Sequence, residues 1–231
     1  MNHLGSAKER RKGMIPSKTV FIPFFFCIIA LCGSFLSTPA FASESEKGQT
    51  DTFAKDGVNL QLVTGSLFSS HIFANGVKVT NAWQTDLRLG WIFTKPLLNE
   101  SLFRGNFQAI FEIANAWIYK GPGNYYGGIT ALLRYNFVQP GAKLIPYAQI
   151  GAGVIYNDAY KDETQNAIGQ AFEFTPQAGI GLHYLLKENW SIDFEGVYHH
   201  ISNAGLARRN VGLNSFGGLI GVTYFFDQTR K

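Results

Sequence analysis

The chain has 231 residues, 46% of them hydrophobic and 15% aromatic, with 25 glycines and a formal charge of +4. That length suits one domain, and the aromatic content exceeds what an ordinary soluble core uses. The charge does not point to nucleic acid: five of the 20 basic residues and one of the 16 acidic ones lie in the first 42 positions, leaving 15 of each sign beyond them.

At the N-terminus, Lys8, Arg10, Arg11, Lys12 and Lys18 precede an apolar run from Val20 to about Leu36, which is broken by Pro23 and followed by Ala40-Phe41-Ala42. This order of basic, apolar and small residues predicts a signal peptide over 1–42, cleaved after Ala42. A membrane anchor would call for a longer unbroken run. Met14 offers an alternative start. Both cysteines, Cys27 and Cys32, fall inside this segment, so the mature chain is expected to hold no disulfide and no thiolate metal site. Residues 43–56 are polar and read as a loose periplasmic lead-in.

From Gly57 to Phe226 apolar and polar residues alternate in eight segments, near 58–69, 81–93, 103–118, 124–137, 144–156, 169–185, 190–202 and 212–226, separated by clusters of Gly, Pro, Asn and Asp. In the second, Trp83, Leu87, Leu89 and Trp91 share one face and Gln84, Asp86 and Arg88 the other. In the sixth, Phe172, Phe174, Ile180 and Leu182 oppose Glu173, Thr175, Gln177 and His183. A soluble β-sandwich would alternate as well. Long strands in even number, without cysteines and with aromatic residues near both ends, instead predict an all-β fold: an eight-stranded antiparallel transmembrane β-barrel of outer-membrane type over 57–231. Side chains fill so narrow a barrel, and Asp86, Arg88, Glu112, Arg134, Glu173 and Glu195 are expected to form a paired polar core, not a pore. With both chain ends periplasmic, 94–102, 138–143 and 186–189 become periplasmic turns. The connections 70–80, 119–123, 157–168 and 203–211 then face outward, where lipopolysaccharide lies.

Within Tyr198-His199-His200-Ile201-Ser202-Asn203-Ala204-Gly205-Leu206 a base and a nucleophile stand two residues apart. In a strand that spacing puts both on one face, about 6.7 Å apart along the chain, with His199 turned the other way. A serine activated by histidine attacks ester or amide carbonyls, and an Asn and a Gly just downstream could supply donors to the oxyanion. The plain alternative is a His-x-Ser that only packs or faces solvent. Ile192, Phe194 and Tyr198 share the face of His200 and Ser202, so the pair points at lipid, while Asp193 and Glu195 are excluded as partners by parity. A hairpin centred near Ala207 sets Asn214 opposite His200, about 5 Å away at Cβ, where its carboxamide oxygen can accept from the imidazole. An outward Ser-His-Asn cluster has few sensible substrates other than a lipid, although polar residues at this height also serve as headgroup contacts. No metal is expected from His183, His199 and His200, because 199 and 200 face opposite sides and no acidic ligand shares the outward face. The glycines at 151, 153, 179 and 181 follow strand spacing without the helix that a phosphate loop needs.

The run His200-Ile201-Ser202-Asn203-Ala204-Gly205-Leu206, followed by Asn210, Gly212 and Ser215 before an aromatic final strand, resembles the signature of the outer-membrane lipid A 3-O-deacylase family, the acyloxyacyl hydrolase type. The resemblance implies an eight-strand barrel that hydrolyses the 3-linked acyl ester of lipid A, with lipopolysaccharide and outer-membrane lipids as its partners and no cofactor. Ser202 matches the nucleophile, His200 the base, and Asn203 with the backbone N–H of Gly205 the oxyanion donors. One position departs: the well-known members orient the histidine with a Glu where this chain has Asn214. A neutral amide can orient an imidazole but stabilises imidazolium less than a carboxylate does. A catalytically inactive barrel of the same family is therefore the runner-up, and a small adhesin-like barrel a third reading, for which the connections 70–80 and 157–168 are short. Homodimerisation and the acyl position cut are left open by the residues themselves.

Overall fold

The computed structural model describes residues 52–69 and 77–226. The expected signal peptide, residues 43–51 of the lead-in, part of the 70–80 connection and residues 227–231 lie outside them. The alternating segments form strands β1 (Val58–Ser69), β2 (Asn81–Ile92), β3 (Asn106–Lys120), β4 (Tyr125–Asn136), β5 (Leu144–Asn157), β6 (Phe172–Phe174), β7 (Gln177–Lys187), β8 (Trp190–Ile201) and β9 (Leu213–Phe225). Each pairs antiparallel with its neighbours, and β9 returns to β1, which closes the sheet. Both β6 and β7 pair with β5, so together they make one wall of an eight-stranded barrel. The expected sixth strand is split at Pro176 because proline has no N–H to give the ladder.

Register fixes the shape. Following paired residues from Val58 through Trp91, Ala109, Leu133, Ile150, Ala178, Tyr198 and Phe216 leads back to β1 at Phe68, ten residues further along. A stagger of that size on eight strands requires steep tilt and leaves an interior that side chains can fill.

They do fill it. Gln84, Asp86 and Arg88 on β2 are buried, whereas Trp83, Leu87 and Trp91 on the same strand are about half exposed on the outer wall. Arg88 donates to Glu112 at 2.7 Å and, through two nitrogens, to Glu195 at 2.7 and 3.0 Å. Arg134 donates to Gln149 and Gln61, both at 2.9 Å, and lies over the Tyr147 ring. Charges held this way are paired and hydrogen-bonded, which is the condition for burying them at all. Glu173 departs from the expected arginine-paired set. It stands nearer one rim and accepts the N–H groups of Gly169 and Gln170 at 3.0 and 3.1 Å.

Apolar clusters close both ends of the polar core. Phe53, Ile92, Ile145 and Phe225 pack at the rim where the barrel's first and last strands begin and end, and Leu67, Ile155, Ile168 and Leu213 pack at the opposite rim. The buried Phe53 ring, together with a 2.6 Å hydrogen bond from Asn106 Nδ2 to the Phe53 carbonyl, shows that residues 52–56 belong to the barrel. The expected loose lead-in therefore does not extend to residue 56.

Candidate active site

Strands β8 and β9 bring His200 directly opposite Asn214. The imidazole Nδ1 lies 2.7 Å from Asn214 Oδ1. With a carbonyl-type oxygen at that distance, Nδ1 carries the proton, and Nε2 is left with the lone pair that a general base needs. Asn214 is nearly buried, at 7% exposure, so its amide is shielded from competing water. Ser202 follows His200 on the same outward face.

The β6–β7 wall holds both residues through the main chain. His200 N–H donates to the Pro176 carbonyl at 3.0 Å, and Ser202 exchanges hydrogen bonds of 3.0 and 2.8 Å with Phe174. The Ser202 hydroxyl and His200 are not hydrogen-bonded to one another; the imidazole bonds to Asn214 instead. Beneath the imidazole lies Gly212, with φ of 81°, where a Cβ atom would come within 2.7 Å of His200 Cε1. Only glycine fits both that backbone angle and that contact.

Asn203 and Gly205, the expected oxyanion donors, bond to one another within a turn. Residues 203–206 make a tight turn closed by Leu206 N–H to the Asn203 carbonyl at 3.0 Å, with positive φ at both Ala204 and Gly205. The buried Asn203 side chain holds this turn from within. Its Oδ1 accepts from Gly205 N–H at 3.1 Å and Ala207 N–H at 3.3 Å, and its Nδ2 donates to the Arg209 carbonyl at 2.9 Å. Both groups expected to face an oxyanion are thus committed to the turn, a local asparagine bond of the kind that competes with any other use of the side chain.

A neighbouring loop braces the far side of the turn. Arg209 donates to the carbonyls of Tyr160 and Asp162 at 2.7 and 2.8 Å, while the N–H groups of Val211 and Gly212 bond to Asn166 and Ala167. That loop is itself tied to the segment before β2 through Asp162. The carboxyl of Asp162 is held down to about 2 by hydrogen bonds from Thr164 first and then from Lys78.

Among the described residues, the other two histidines stay away from this site. His199 is buried inside the barrel, 3.4 Å from Thr175 Oγ1, and His183 pairs with Asp193 at 2.6 Å. Among the described residues no cluster of three His, Cys, Asp or Glu is arranged to hold a metal. One participant escaped sequence reading: Tyr198 donates to Asn214 Oδ1 at 2.6 Å. On an outer wall a tyrosine reads as one more interfacial aromatic, yet its position two residues before His200 makes it the diagonal neighbour of Asn214, which is the signal that could have found it.

A family model described as lipid A 3-O-deacylase (PagL) matches residues 81–223. Among solved structures, the chain is similar to the outer membrane enzyme PagL at 19% identity, covering 71% of this chain and 97% of that one, with a TM-score of 0.49. It is similar also to Neisserial surface protein A, at 14% identity over 73% of this chain and 97% of that one, with a TM-score of 0.51. The N-terminal β-barrel domain of Pseudomonas aeruginosa OprF matches at 15% identity over 74% and 98%, with a TM-score of 0.46. No curated protein sequence matches.

Proposed function

Because the chain belongs to the lipid A 3-O-deacylase family and is a barrel of the bacterial outer membrane, we propose that it hydrolyses the 3-linked acyl ester of lipid A in the outer leaflet, as a serine esterase, with residues 1–42 serving as a cleaved export signal. The observation that carries this reading is the 2.7 Å contact between His200 Nδ1 and Asn214 Oδ1 on the outward wall, with Ser202 on the same face. His200 Nε2 takes the proton of the Ser202 hydroxyl as its oxygen attacks the ester carbonyl. The same imidazolium then gives that proton to the departing sugar oxygen, leaving an acyl-serine. Water, deprotonated by His200, releases the fatty acid and regenerates the serine. Asn214 holds the imidazole in the tautomer this sequence requires, and Asn203 and Gly205 keep the nucleophile's turn rigid. The substrate arrives from the side, along the wall, since the barrel interior is filled.

Two observations favour a second reading, a family barrel that no longer turns over: the amide at 214 and the unformed bond between Ser202 and His200. Mass spectrometry of lipid A from cells with and without the protein decides between them. The expected result is loss of one acyl chain in its presence, with Ser202→Ala and His200→Ala each abolishing that loss while the folded barrel still migrates as a heat-modifiable band. Unchanged lipid A with the wild-type chain would leave the inactive barrel standing.

A further inference from the structure

We propose that Tyr198 is a positioning residue whose hydroxyl sets the amide orientation of Asn214 and, through it, the tautomer of His200. The inference rests on the deacylase reading above. Tyr198 shares the outward face of β8 with His200, and its ring packs against Phe216 with centroids 5.0 Å apart. Its hydroxyl donates to Asn214 Oδ1 at 2.6 Å, the same atom that accepts His200 Nδ1 at 2.7 Å. One oxygen receives two donors.

An asparagine has two chemically different ends where a glutamate has two equivalent oxygens. With Oδ1 toward the imidazole, the proton sits on Nδ1 and Nε2 can accept from Ser202. With the amide turned over, Nδ2 donates to Nδ1, the ring proton moves to Nε2, and the histidine can no longer take a proton from the serine. The two states differ by a rotation that moves no heavy atom far, so something must choose between them. Tyr198 does so because its O–H finds an acceptor only in the first state. In the second it faces an N–H group, and both the phenol proton and Asn214 Oδ1 lose their partner on a wall where water is scarce. A carboxylate at 214 would need no such selection.

The test compares the full-length wild type, Tyr198→Phe, Asn214→Glu and the double variant, all folded in detergent, by deacylation kinetics on lipopolysaccharide and by 15N spectra of the histidine ring nitrogens. Tyr198→Phe is expected to lower kcat about five- to ten-fold with KM nearly unchanged, the scale of one ordinary hydrogen bond. Its His200 signals move from the Nδ1–H tautomer toward a mixture, and the kinetic loss shrinks to less than about two-fold when residue 214 is Glu. Equal loss in both backgrounds would reduce Tyr198 to ring packing against Phe216 and overturn the proposal, as would an unchanged tautomer in Tyr198→Phe. An inactive wild type sinks the deacylase reading instead, and the ring-nitrogen spectra still decide the role of Tyr198.

Discussion

At the scale of single residues, the amide at 214 is the group that meets the imidazole of His200. If the amide serves only to orient His200, Asn214→Glu keeps or raises kcat, because a carboxylate holds the same tautomer and adds attraction for the imidazolium formed in the transition state. Asn214→Ala removes the acceptor for both Nδ1 and Tyr198 and is expected to cost at least about ten-fold in kcat. Equal turnover by all three proteins would detach residue 214 from the histidine. Gly212 offers an independent probe: Gly212→Ala places a methyl group where His200 Cε1 lies and strains a backbone at positive φ. We expect that variant to fold as a barrel and to lose activity about ten-fold or more through kcat, since displacement of a base by an ångström is enough. The pairing of His200 with Asn214 was legible in the sequence because strand parity and hairpin length leave it little freedom. The hydrogen bonds of Asn203 and Gly205 were not. Whether an asparagine faces a substrate or folds back on its own turn depends on which N–H groups surround it, and those belong to residues 205 and 207 as the chain folds around them.

At the scale of elements, the segment that carries the candidate site rests on a neighbouring loop. The loop between β5 and β6 supplies the carbonyls that Arg209 binds and the acceptors for Val211 and Gly212, so the segment leading into β9 is laid on a preformed shelf. Arg209→Ala removes a planar donor that bridges several carbonyls at once, and Arg209→Lys restores the charge without the fork. Both are expected to speed hydrogen exchange at Val211 and Gly212 and to lower kcat several-fold, the alanine more than the lysine, with the barrel intact. Exchange as slow as in the wild type would mean that the shelf does not need its arginine. The split between β6 and β7 shows the limit of pattern reading at this scale. Alternation runs unbroken through Phe172, Phe174, Ala178 and Ile180, because parity concerns side chains. The break at Pro176 concerns a missing N–H, and it frees no backbone at random: the Pro176 carbonyl takes the N–H of His200.

At the scale of the whole molecule, one strand holds two opposite solvents a single residue apart, and this was the most legible feature of the sequence because a bilayer tolerates so few departures from it. Leu87 and Arg88, midway along β2, test it together. Leu87 is 43% exposed on the outer wall, and Arg88 is buried against Glu112 and Glu195. Leu87→Arg puts a cation into hydrocarbon, at a cost of about 2–4 kcal/mol near the midplane. Arg88→Leu removes the partner of buried carboxylates and is expected to cost about 3–5 kcal/mol, although leucine is the more lipophilic residue. Urea titrations of folding into lipid vesicles, read by the heat-modifiable band, should therefore show both variants destabilised, for reasons of opposite sign. A control at Lys161, exposed on the loop between β5 and β6, should tolerate Lys161→Leu with little change, since neither hydrocarbon nor a buried partner meets it there. Should Leu87→Arg fold as well as the wild type, the outer wall does not face lipid at that height. A site on that wall could then no longer take its substrate from the membrane, and the route proposed for lipid A would fail along with the parity.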